Sequence, residues 1–171
     1  MNPETNIVSA IFQTLRSEGY ECTKDVSLGL AQASVCASRK VRWGILPFSI
    51  HYYIFDVSCV GDKDLDSIFG LNALARAYTD RYKHKRSRWF RFRVPITATV
   101  IISPSGFPDI VVKTISKWKP RYQMGNVNSV LLVDSGKQEM HSLQRIGFLG
   151  CIPLKRITRQ TSRLLKAASV L

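Results

Sequence analysis

The chain has 171 residues, 45% of them hydrophobic, and 25 Lys and Arg against 12 Asp and Glu give a formal net charge of +13. A chain of this length and composition buries a core without metals or disulfides, so intrinsic disorder is not the expectation; the charge calls for an anionic partner, nucleic acid before an anionic membrane. The longest uncharged run, residues 94–108, is broken by Pro95, Pro104, Gly106 and Pro108 and falls short of the roughly 18 apolar residues that suggest a membrane span; the opening Met1, Asn2, Pro3, Glu4 lacks the basic and apolar pattern of a secretory signal, so a soluble, cytoplasmic protein is expected.

From the N-terminus, Pro3 suits the first turn of a helix over residues 3–18, with Ile7, Val8, Ile11, Phe12 and Leu15 on one face and Gly19 as its stop. Three segments rich in β-branched and aromatic residues follow at 20–23, 30–38 and 48–57, separated by turn-forming stretches, and are expected to be strands. Asp62, Asp64 and Asp66 then supply the negative charge that a helix N-terminus favours. Leu65, Ile68, Leu71, Ala75, Tyr78 and Tyr82 recur behind them at helical spacing, predicting a second helix over 64–84.

Residues 94–102 alternate Val94, Ile96, Ala98, Val100 and Ile102 with Thr97 and Thr99, which predicts a central strand. Residues 110–118 fit a short helix or a strand, since their β-branched content argues for either. Ser135 and Gly136 mark a hairpin between strands at 129–134 and 138–143. Pro153 introduces a last helix in which Leu154, Ile157, Thr161, Leu164, Ala168 and Leu171 form an apolar stripe beside a charged one of Arg156, Arg159, Arg163 and Lys166. With no repeat or linker to divide it, the chain reads as one α/β or α+β domain, residues 1–171, with a single mixed sheet in the order α-β-β-β-α-β-(α)-β-β-α.

The helix, three strands, helix and strand of residues 3–102 resemble, in their order, the core of the restriction-endonuclease-like superfamily. The resemblance implies a metal held by an acid on the second strand and an acidic-x-Lys element on the third. The third strand offers Asp56, Val57, Ser58, with the acid present and the lysine absent, and the second offers no carboxylate. The expectation is therefore a fold of that order without an active nuclease site, because metal-assisted hydrolysis needs several oxygen ligands.

The steepest local charge lies in residues 81–93, where Arg81, Lys83, Lys85, Arg86, Arg88, Arg91 and Arg93 stand among Tyr82, Trp89, Phe90 and Phe92 with no acid. Cations contact phosphates and aromatic rings stack bases, which is how sequence-tolerant grooves for single strands are built. Alternation assigns Phe90 and Phe92 to the core instead. From Ile110 to the C-terminus there are eleven Lys and Arg and two acids, Asp134 and Glu139. Lys117, Lys119 and Arg121, together with Arg159 and Arg163, extend the candidate nucleic-acid-binding set, and whether these three regions share one face is a question for the fold.

The cysteines at 22, 36, 59 and 151 lack the paired spacing of zinc sites and read as buried hydrophobes; Cys22 and Cys36 could face each other if their segments formed adjacent strands. His51, His84 and His141 are isolated from one another, and no glycine-rich phosphate loop or nucleophile elbow occurs. No catalytic residue, metal or cofactor is expected, and a degenerate or unrecognised metal-dependent nuclease stands as the third reading of the chain. Nucleic acid is the first partner class; the second is an acidic protein partner, with the last helix docking in a groove or in a homo-oligomer.

Overall fold

A computed structural model describes residues 3–43, 46–56, 63–83, 94–117, 127–142 and 151–167. The elements follow the expected order: α1 (Pro3–Ser17), β1 (Glu21–Ser27), β2 (Gln32–Trp43), β3 (Leu46–Asp56), α2 (Leu65–Tyr78), β4 (Val94–Ser103), α3 (Asp109–Lys117), β5 (Val127–Asp134), β6 (Glu139–Ser142) and α4 (Cys151–Ala167). The strands form one mixed sheet in the order β1-β2-β3-β4-β5-β6. β1, β2 and β3 run antiparallel, β3, β4 and β5 are parallel, and β6 returns antiparallel to β5.

Side chains leave alternate faces of a strand, so this sheet builds two cores. On the first face Ile50, Tyr52, Ile54, Ile96, Ala98, Val100 and Leu131 pack under Ile11 and Leu15 of α1 and Ile157, Leu164 and Leu165 of α4. On the second, Tyr53, Phe55, Ile101, Val130 and Leu132 pack under Ile68, Leu71 and Ala75 of α2 and Val111 and Ile115 of α3. The parallel crossovers require this, because α2 and α3 must each carry the chain back across the sheet between parallel neighbours.

Local chemistry sets the element ends. Gly19 adopts a left-handed φ of 80° just past α1, where its amide bonds Arg16 O at 2.9 Å. Asp64 caps α2 by accepting the Ser67 amide at 2.8 Å, and that bonding holds its carboxyl below the usual range. The residues after Tyr78 do not continue the α-helix to 84 as expected: Thr79–Lys83 form a single π-helical turn. The ambiguous segment at 110–118 is helical, since Val111 and Ile115 are one turn apart and both buried, and Thr114 Oγ1 donates to Ile110 O at 2.7 Å.

One further expectation is corrected. β1 and β2 are neighbours, yet Cys22 lies opposite Ala37 and Cys36 opposite Thr23, one residue out of step, so the thiols point to opposite faces and neither forms a disulfide. Asp25, at φ 53°, also reverses the alternation of β1, so Cys22 packs with the first core and Val26 with the second. No helix among the described residues is long and apolar enough to cross a membrane.

Candidate functional site

The two ends of the parallel strands differ in charge. Where β3, β4 and β5 finish, the chain places Asp56 and Asp134, and the helices that start there bring Asp64, Asp66 and Asp109. Open α/β sheets commonly bind ligands at this end, and helix N-termini favour anions. Here the N-termini of α2 and α3 line a shallow groove of Lys63, Asp64, Leu65, Asp66, Pro108, Ile110 and Val111, but their own acids already meet the positive helix ends. Lys63 Nζ donates to Ser105 Oγ and, at 3.1 Å, to Gly106 O, fixing the turn after β4.

Asp134 is 4% exposed and accepts the Lys137 amide at 2.9 Å. Gly106, at φ 71°, admits it, since a Cβ there would lie 2.5 Å from Asp134 Oδ2. Asp134 therefore holds a turn, and within β6 His141 Nε2 stands 3.7 Å from Glu139 Oε2. Asp56 closes β3 as expected, while Val57 and Ser58 lie outside the described residues, and β2 carries no carboxylate. Among the described residues no group of three or more His, Cys, Asp and Glu could hold a metal ion.

The opposite end, where β3, β4 and β5 begin, is basic. α2 and its π-helical turn run back across the second face and deliver exposed Arg81 there, with Lys83 closing the turn. β4 starts at Val94, paired with Phe48, and β5 starts at Val127, paired with Ile96. Lys83 and Val94, the two ends of the 84–93 connection, thus both lie at this end, and so does the entry to β5 from the 118–126 connection. Exposed Lys117 closes α3, which runs in the same direction as α2. Lys85, Arg86, Arg88, Trp89, Arg91, Arg93, Lys119 and Arg121 lie outside the described residues, as does the side chain of Lys83.

Arg159 and Arg163 are exposed on α4, which packs on the first face, so they stand across the sheet from α2 and α3. Among the described residues, therefore, Arg81 and Lys117 stand on the α2 and α3 side of the sheet and Arg159 and Arg163 on the other. Sequence reasoning missed Lys40 and Arg42. Both are exposed on the last turns of the ladder, Lys40 opposite Ser49 and Arg42 opposite Pro47, on the second face and at the basic end. The signal was present in Ser38 to Arg42, where Val41 packs inward between outward cations.

Beneath these cations the second face is polar. The register aligns Ser38, His51, Thr97 and Asn128 in one rung across β2, β3, β4 and β5. His51, Thr97 and Asn128 are 5%, 0% and 3% exposed. Thr79, in the π-helical turn, sits over this rung: its hydroxyl donates to Ala75 O at 3.0 Å and meets Tyr53 OH at 2.7 Å and Thr97 Oγ1 at 3.4 Å. π-helical insertions often accompany functional sites, and here the turn carries both the hydroxyl hub and Arg81. Comparison with family models, curated proteins and solved structures finds no match to this chain.

Proposed function

We propose that the protein binds nucleic acid, without cleaving it, through the basic end of its sheet. The observation that carries this reading is the convergence of Lys40, Arg42 and Arg81 with the strand entries that receive the 84–93 and 118–126 connections. Cations gathered from separate elements neutralise adjacent phosphates, as Lys40 and Arg42 of β2 and Arg81 of the π-helical turn would here. The acids at the other end of the sheet repel the same polyanion, so the charge distribution orients it as well as attracting it.

The test compares two variants in salt-dependent binding to a single-stranded oligonucleotide. Lys40→Ala/Arg42→Ala/Arg81→Ala should weaken binding and lower the log K against log salt slope by roughly two units, at about 0.7 per lost phosphate contact. Arg159→Ala/Arg163→Ala, on the far side of the sheet, should change neither quantity. A wild-type slope in the first variant, with circular dichroism showing it folded, would refute the assignment of the interface to this end.

A further inference from the structure

We propose that the rung of Ser38, His51, Thr97 and Asn128 is a subsite for a neutral hydrogen-bond donor, the exocyclic amino group of an unpaired nucleobase. This inference rests on the nucleic-acid reading and adds what part of the ligand is recognised. Its starting point is Asn128, 3% exposed, whose Oδ1 has no hydrogen-bond partner among the described residues. Buried amide oxygens are ordinarily satisfied, and an apolar side chain of similar size would avoid the cost of leaving one bare.

Thr79 and Thr97 do not supply the missing proton. Thr79 gives its single hydroxyl proton to Ala75 O, so its oxygen accepts from both Tyr53 and Thr97. Thr97, directly beside Asn128 in the register, therefore directs its own proton to Thr79 and turns only lone pairs toward the rung. The result is a pair of oxygen acceptors on neighbouring strands, Asn128 Oδ1 and Thr97 Oγ1. Its complement is a donor.

The surrounding charge selects among donors. Lys40, Arg42 and Arg81 disfavour an ammonium or guanidinium group, and ionised phosphates and carboxylates have no proton to give. Neutral N–H donors remain, and the amino groups of cytosine, adenine and guanine are the ones a bound polynucleotide carries. A base reaches a buried rung only when it is out of the stack, so the preferred ligand is single-stranded.

The discriminating probe is a short deoxycytidine oligonucleotide against its counterpart in which every exocyclic amino group is dimethylated, which keeps the phosphates and the stacking face but removes the donors. Wild-type protein should bind the unmodified strand roughly three- to tenfold more tightly, the range one added hydrogen bond supplies. Asn128→Leu should erase that preference while keeping the salt slope, with a melting temperature equal to or above wild type. Equal binding of both strands by wild type, with a normal salt slope, would overturn the subsite and leave the basic end standing. A preference that survives Asn128→Leu would assign recognition elsewhere and also overturn it. Absence of salt-dependent binding to either strand would bring down both readings together.

Discussion

Three tyrosines show how burial at single residues sets the pH range of the fold. Tyr20 is 4% exposed, its hydroxyl accepts from Gln160 Nε2 at 2.6 Å, and burial pushes its pKa to about 12 despite the opposing Arg39 guanidinium. Tyr52 and Tyr53, each 1% exposed, are pushed up as well, again mainly by burial. In each case the native state holds the phenol proton more tightly than the unfolded chain does. Their contribution is complete below about pH 10, the ordinary phenol value, and is lost as pH rises from there through 12 for Tyr20 and higher for the other two. Two pKa units at Tyr20 correspond to about 3 kcal/mol. Alkaline titration should therefore show these phenols ionising in the same step that unfolds the protein, and Tyr20→Phe should move that step to higher pH. Phenolate absorbance that rises by the full complement of six tyrosines while far-ultraviolet circular dichroism stays native would contradict it.

Among the elements, α4 illustrates how a helix of high charge is held by one narrow stripe. Ile157, Thr161, Leu164 and Leu165 are buried, while Lys155, Arg156, Arg159, Arg163 and Lys166 are exposed. Thr161 Oγ1 reaches the Tyr52 hydroxyl at 3.2 Å and Gln160 that of Tyr20, so the helix is pinned to β3 and to the start of β1 by polar as well as apolar contacts. Leu164→Ala should cost about 2–5 kcal/mol, the usual range for a truncated core leucine, and urea denaturation measures it; a loss under 1 kcal/mol would show that α4 packs loosely. Most of this element was legible in the sequence, because Ile157, Thr161 and Leu164 recur at spacings of three and four. So was β4, whose strict alternation survives into both cores. Less legible were β1 and β2, which run longer than their apolar patterns suggest: Asp25 reverses the alternation, and the outer half of β2 reads as charge rather than strand because Arg39, Lys40 and Arg42 face outward. The same reversal of appearance hid the site. Cationic stretches that connect elements stood out as runs, whereas Lys40 and Arg42 join the basic end only through strand pairing, and Asn128 meets Thr97 only through the register of β4 and β5. Distance in sequence carries no record of either contact.

At the scale of the whole molecule, a net charge of +13, with Asp56, Asp64, Asp66 and Asp109 where the parallel strands finish and Lys40, Arg42 and Arg81 where they begin, sets two separable responses to ions. Simple salt screens self-repulsion over the entire surface, with a Debye length of about 8 Å at physiological strength, and so stabilises the compact state without regard to where the charge lies. A polyanion that binds only the folded protein adds a linkage term, about 2.7 kcal/mol when its concentration is 100 times the dissociation constant. For a chain of this length that amounts to roughly 5–10 °C in melting temperature, at about 2–4 °C per kcal/mol. Scanning calorimetry should accordingly show one rise with sodium chloride and a larger one with a single-stranded oligonucleotide at low salt. Lys40→Ala/Arg42→Ala/Arg81→Ala should keep the first and lose most of the second, because it removes only three positive charges but takes all three from the proposed phosphate-binding end. Arg159→Ala/Arg163→Ala lowers the net charge by a similar amount on the other side of the sheet and should keep both. If the two variants lose the oligonucleotide response equally, total charge governs the stabilisation and the end of the sheet where β3, β4 and β5 begin has no privileged part in it.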